Sequence, residues 1–265
     1  MVMSSAQPLP SATKTLVGRV PYLNCAPFFD GLDVGESWEW LDLPPRYLGR
    51  EAEAGRVLGG PMALADYVRL KNQYERLGSL GIAVRGRCGS TMLFARRPIR
   101  QLEGATIAVS EETSTTAMLL RPILEQRYRV TPAAYRRGDV KDADAVLLIG
   151  DEALRAETTH TRYPFEADMA FEWWTWQHLP CVFAVWAVRK DAAPEDKQRL
   201  SRLMQHQLAV NLGRLRAIAD ARAESAGIPA SAIAQYLGQF HYRFGAEEER
   251  AIEQFERIVY AHDRH

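Results

Sequence analysis

The sequence predicts an α/β fold of two lobes with a ligand cleft between them, and three observations carry that expectation. Short apolar runs alternate with helical patterns almost from the beginning, the signature of parallel strands joined by crossover helices. The run PCVFAVWAVR (180–189) is too continuous, β-branched and aromatic for an exposed strand, and it precedes a long helix, so it reads as the chain crossing back into an earlier unit. Three polar clusters stand where a strand has just ended, which is where open α/β sheets bind ligands.

In chain order, TLVGRV (15–20) reads as a buried strand, 21–24 as a turn and 26–31 as a short helix. WEWLDL, GGPMAL and LGSLGIAV read as later strands, with a helix over 46–57. After the polar segment 85–90, TMLFARRP is a strand that carries the chain out of the first unit. ATIAVS (105–110) opens the second unit, followed by the helical pattern 111–128, where Pro122 predicts a kink or an early stop. ADAVLLIG (143–150) is a further strand of that unit. Beyond the returning strand, Pro194 suits a first helical turn, and Leu200, Leu203, Met204, Leu208, Leu212 and Leu215 form one apolar stripe. Gly227 and Pro229 break the chain, and Ala251, Ile252, Phe255, Ile258 and Val259 mark a final amphipathic helix. The expected organisation is a tail over 1–14, a discontinuous first lobe over 15–97 and 185–265, and a second lobe over 98–184. Two crossings between lobes make a hinge.

Composition narrows the function. The 265 residues are 47% hydrophobic, enough to fill a core in either one large unit or two modest lobes. Lys and Arg number 33 against 33 Asp and Glu, so no summed charge draws the protein to nucleic acid or an anionic membrane. An acidic ligand must then be held by local chemistry. Cys25, Cys88 and Cys181 show no close pairing, which argues against a disulfide framework and a thiolate metal site and fits a cytoplasmic location. Neither an export signal nor a membrane span is expected.

The polar clusters are Tyr22-Leu23-Asn24, Ser90-Thr91 and Thr113-Ser114-Thr115-Thr116. The last precedes a helix, where free N–H groups and hydroxyls favour an anion such as a carboxylate. Asn24 offers two donors and an acceptor without charge. Each cluster also has a plainer reading: the hydroxyls cap the helix, Asn24 forms a turn, and Ser90-Thr91 edge a strand. Asp151 and Glu152 are candidate acids or bases, or a solvated helix start. Trp173, Trp174 and Trp176 could line a pocket or simply pack. No HxxxH or HExxH spacing occurs among His160, His178, His206, His241, His262 and His265, and no GxSxG, GxxxxGK[ST] or GxGxxG follows a strand. Metal hydrolysis, serine hydrolysis, P-loop and dinucleotide chemistry all lack their central motif.

Taken together, GRVPYLNCAPF, GSTMLFARRPI, the TSTT helix start, LLIGDEAL and LPCVFAVWAVR, in this order and spacing, resemble the chorismate dehydratase family of the futalosine route to menaquinone. The resemblance covers roughly 17–244. It implies a fold like the type II periplasmic binding proteins, without export. It implies removal of water from chorismate to give 3-[(1-carboxyvinyl)oxy]benzoate, with no cofactor, no metal and no obligate protein partner. Asn24 matches the Asn of the family's YLN motif and Ser90 the Ser before its second-lobe strand, the two positions expected to carry catalysis. Ser114, Thr115 and Thr116 are expected to hold a carboxylate, with Tyr22, Leu23, Thr91, Gly150 and Asp151 as further substrate contacts. The substrate's own enolpyruvyl carboxylate is expected to take the proton. Where relatives tend to read Asp-Val and then Pro-Ser, this chain has Leu58-Gly59 and then Ala63-Leu64, so one polar contact is missing. Two competing readings share the fold: a small-carboxylate binding protein, and a sister family that forms dihydroxynaphthoate with a His base where this chain has Gly150 and Asp151.

Overall fold

The structure, a computed structural model, describes residues 14–156 and 162–262. The expected tail and the positions His160 and His265 lie outside the described residues, apart from Lys14. Strand β1 (Thr15–Arg19) leads through a 3-10 turn at Leu23–Cys25 into the one-turn helix α1 (Ala26–Phe29), then β2 (Trp38–Asp42), helix α2 (Pro45–Glu53), β3 (Gly59–Ala63), α3 (Leu64–Leu70) and β4 (Tyr74–Val84). The second part holds β5 (Thr91–Ala95), β6 (Thr106–Val109), α4 (Thr115–Pro122), β7 (Ala134–Arg137), β8 (Ala145–Ile149), α5 (Gly150–Ala156), β9 (Phe165–Asp168) and α6 (Met169–Gln177). The chain returns with β10 (Cys181–Arg189) and ends in α7 (Pro194–Leu212), α8 (Leu215–Ala226), α9 (Ala230–Gly238), β11 (Phe240–Arg243) and α10 (Ala246–His262).

Three sheets result: β1-β2, β11-β4-β10-β3 and β7-β6-β8-β5-β9. The expectation of parallel strands holds for β1 with β2 and for β6 with β7 and β8. The four-stranded sheet is antiparallel throughout, and β5 runs against both β8 and β9. The two strands that follow the crossings, β5 and β10, enter their sheets antiparallel to both neighbours, a direction that an apolar run does not encode. The change of sheet falls at 85–90 and again at 178–180. Strand β5, read from sequence as the end of the first unit, is therefore paired inside the five-stranded sheet, and all of β10 belongs to the four-stranded one.

The core explains why the turn before α1 is rigid. Phe28 packs edge-on against Trp186 (5.4 Å) and Tyr242 (5.6 Å), and Phe29 lies 5.7 Å from Trp186. Phe28 and Trp186 are fully buried. Helix α7 then caps the end of α1: Asn211 Nδ2 donates to the carbonyls of Pro27 (3.1 Å) and Asp30 (2.9 Å), and Gln207 Nε2 to Asp30 (2.6 Å). This arrangement corrects the expected leucine stripe. Leu200, Met204 and Leu208 are buried, but Leu212 is exposed and Leu215 starts a new helix, because the buried face of the last turn is given to Gln207 and Asn211. At Pro122, which has no N–H to donate, α4 passes into a π-helical turn over Ile123–Arg127, the irregularity expected there.

Candidate active site

The three polar clusters meet. A cavity of about 60 Å3 is lined by Tyr22, Asn24, Pro45, Ala63 and Phe183 on one side and by Ser90, Thr91, 113–116, Ile149 and Gly150 on the other. Every polar side chain in that lining is neutral, and each comes from the end of a strand or the start of a helix.

The 3-10 turn sets Asn24. Asn24 Oδ1 is buried with no hydrogen-bond partner among the described residues, so one acceptor beside the cavity is unspent. Beside it, the Tyr22 hydroxyl donates to the Glu112 carboxylate, and burial together with that bond pushes the phenol far above its ordinary value. The Tyr22 ring lies over Gly150, whose φ is +62° and where a Cβ would stand 2.9 Å from Tyr22 Cε2. Only glycine suits this position on both counts. Leu23 and Asp151, two of the expected substrate contacts, do not line the cavity. They bond each other, Leu23 N–H donating to Asp151 Oδ1 at 3.1 Å, which ties the turn to α5. Burial pushes the Asp151 carboxyl up, against this N–H.

Ser90 and Thr91 are nearly buried. The Ser90 carbonyl accepts Gly150 N–H at 2.9 Å, and its hydroxyl lies 3.6 Å from Cys88 Sγ. Thr115 Oγ1 donates to the Phe183 carbonyl (3.0 Å) and accepts Ala65 N–H (3.3 Å), joining α4 to β10 and α3. The plainer reading of Ser114 as a helix cap does not hold: it makes no side-chain cap bond to α4. The loop before α4 is instead held from outside, Arg137 donating to the carbonyls of Ser110 (3.0 Å) and Thr113 (2.9 Å). At Ala63, where a polar contact was expected to be missing, the lining carries a methyl.

Sequence reading missed Glu112, Pro45, Phe183 and Asp168. The first three reach the site from a loop, the start of α2 and the interior of β10, where the local patterns carry no chemical signal. Asp168 could have been found as an acid standing directly before the helical run MAFEWWTWQ. The tryptophans take the packing role: Trp173 is buried with Nε1 donating to the Pro180 carbonyl (3.0 Å), and none of the three lines the cavity. No described histidine lines it either, and His241 is paired with Glu248 (2.9 Å). Among the described residues no three His, Cys, Asp or Glu side chains converge to hold a metal ion, and no helix is long and apolar enough to cross a membrane. A larger cleft of about 700 Å3 lies between α5 and α9, walled by Leu154, Ile228, Pro229 and Ile233. Arg87, Arg155, Gln235, Tyr236 and Gln239 also line it, but Tyr22, Asn24, Ser90, Thr91 and 113–116 do not.

A family model described as menaquinone biosynthesis matches residues 15–261. A chorismate dehydratase from Thermus thermophilus is 31% identical over 260 residues, covering 91% of this chain and 93% of that protein. Among solved structures, protein AF1704 from Archaeoglobus fulgidus aligns with a TM-score of 0.74 at 19% identity, over 95% of this chain and 98% of that one. The periplasmic aliphatic sulphonate binding protein SsuA from Escherichia coli aligns with a TM-score of 0.62 at 12% identity, over 96% and 88%. At these identities the likeness is one of fold, and the fold is that of the periplasmic binding proteins, as expected.

Proposed function

The chain belongs to the menaquinone biosynthesis family, and on that premise we propose that it is a chorismate dehydratase, a hydro-lyase that converts chorismate to 3-[(1-carboxyvinyl)oxy]benzoate. The observation that carries the reading is the 31% identity to a chorismate dehydratase across nearly the whole of both chains. The cavity supports it, since its neutral donors suit a reaction that needs positioning more than strong acid or base.

In this reading the C–H bond beside the enol ether breaks and its electron pair enters the ring. The neighbouring C–O bond breaks, the hydroxyl leaves as water, and the ring becomes aromatic. The substrate's enolpyruvyl carboxylate takes the proton and passes it to the departing hydroxyl, so that water leaves and the carboxylate is restored. Asn24, with its unspent acceptor and two donors, and Ser90 orient that carboxylate and the leaving hydroxyl. Ser114, Thr115 and Thr116 at the start of α4 hold a carboxylate, where the helix dipole favours negative charge by about 0.3–1 kcal/mol. Thr91, Tyr22 and Gly150 shape the wall, and Leu23 and Asp151 act behind it by fixing the turn that carries Asn24. Independence of cofactors and a cytoplasmic location belong to the same proposal.

The test is to incubate the purified protein with chorismate and a metal chelator, without added cofactor, and to follow the enolpyruvyloxybenzoate by chromatography and mass. Product absent from the blank is the expected result. Tight chorismate binding without turnover would replace the reading with a carboxylate-binding role, and neither binding nor turnover would sink it.

A further inference from the structure

The segment that carries Ser90 is the first crossing between the sheets, a stretch with no ladder of its own until β5 begins at Thr91. Its carbonyls accept from Gly150 N–H at Ser90 (2.9 Å) and from Gln239 Nε2 at Cys88 (3.0 Å), while a single carboxylate takes its N–H groups. Asp168 stands at the end of β9, is the residue before α6 and is 2% exposed. Its two oxygens have separate tasks. Oδ1 accepts the N–H groups of Ala170 (2.9 Å) and Phe171 (3.2 Å), which is what an N-cap does. Oδ2 accepts the N–H groups of Cys88 (2.8 Å) and Gly89 (2.6 Å), which α6 does not require. Thr91 Oγ1 and Cys88 Sγ reach Oδ1 at 3.5 and 3.7 Å. The carboxylate thus grips the two residues before Ser90 and the one after it. Gly89 takes φ +75°, so that both successive N–H groups turn toward the same oxygen.

We propose that Asp168 is a positioning residue for the reaction: through Oδ2 it fixes 88–91 so that the Ser90 hydroxyl keeps its place on the cavity wall. This inference rests on the reading of Ser90 given above. A residue that only capped α6 would need one oxygen, and Asn or Ser would serve equally. The second oxygen makes the difference. In Asp168→Asn the carbonyl can keep the cap, but the amide group then presents hydrogens to the Cys88 and Gly89 donors, which lose their acceptor while the shape is unchanged.

The experiment is steady-state kinetics on chorismate for the wild type, Asp168→Asn, Ser90→Ala and the double variant, with a thermal melt of each. Asp168→Asn should lower kcat on the order of 100-fold with KM within about threefold, as expected for a reacting group displaced by about an ångström. The double variant should be no slower than Ser90→Ala, because a residue acting through Ser90 has nothing left to position. Wild type without turnover, or Ser90→Ala with full kcat, would remove the reading beneath. With those two intact, losses that add in the double variant, or Asp168→Asn with kcat within twofold of wild type, overturn this inference alone. If Asp168→Asn does not fold, Asp168→Ser, another good cap, takes its place. Failure of both to fold would overturn the assignment in favour of a carboxylate that the fold itself requires.

Discussion

At the scale of single residues, the site depends on close approach and on charge kept out of the lining. Gly150→Ala places a methyl where the Tyr22 ring stands and forces a left-handed φ on a residue with a Cβ, a conformation that costs about 1–2 kcal/mol. A melt lowered by about 2–4 °C per kcal/mol is expected, together with a raised KM as Tyr22 is pushed aside. An unchanged KM would mean that the ring's position is immaterial to binding. Asp66, at the start of α3, gives a pH signature. Burial pushes its carboxyl above the ordinary 3.8, against the pull of Ser114 and Arg69. The folded protein therefore holds this proton more tightly than the unfolded chain. Its contribution to stability is fully present below 3.8 and is lost as pH rises through the folded value. Asp66→Asn removes that loss, so its melting temperature relative to wild type should climb as pH is raised from about 4 to 7. A difference that narrows with pH would reverse the sign of the argument.

At the scale of elements, packing decided what the sequence pattern could not. Leu208 and Leu212 are equivalent by helical spacing, yet one is fully buried and the other exposed. Leu208→Ala should cost about 2–5 kcal/mol and Leu212→Ala under about 0.5 kcal/mol, measured by denaturant unfolding. Equal losses would restore the single stripe. The apolar strands β3, β5 and β6 were legible because burial along nearly their whole length leaves little choice of residue. The four-residue strands AYRR, FEAD and FHYR were not, since none carries a continuous apolar run and their pairing is set by neighbours distant in sequence. Strand direction was illegible for a similar reason: an apolar run has the same pattern whichever way it enters a sheet. Of the cavity lining, Asn24 and the hydroxyls before α4 could be read because each follows a strand, and Ser90 because it stands directly before one. The roles of Leu23 and Asp151 as partners of each other could not, because 128 positions separate them along the chain.

At the scale of the whole molecule, the cavity is too small for its proposed substrate. About 60 Å3 is well below the ~300 Å3 at the low end of ligand pockets, so the two sides must part before chorismate enters. Bonds across the mouth hold them together: Arg46 Nη1 meets Glu111 Oε2 at 2.6 Å, the Arg46 N–H donates to the Glu112 carbonyl at 3.0 Å, and Tyr22 donates to the Glu112 carboxylate. The Arg46–Glu111 pair is partly open to water, its side chains 23% and 45% exposed, so it is worth no more than about 1 kcal/mol and is weakened by salt. That sets the size of the effect. Arg46→Ala should shift the balance toward the open form and raise KM by at most about fivefold, leaving kcat nearly unchanged because Arg46 does not line the cavity. The wild-type KM should climb with ionic strength while the variant's stays flatter, and small-angle scattering should show the unliganded variant as the more extended of the two. A variant whose KM keeps the wild-type salt dependence would mean that other contacts, the Leu23–Asp151 and Ala65–Thr115 bonds among them, carry closure.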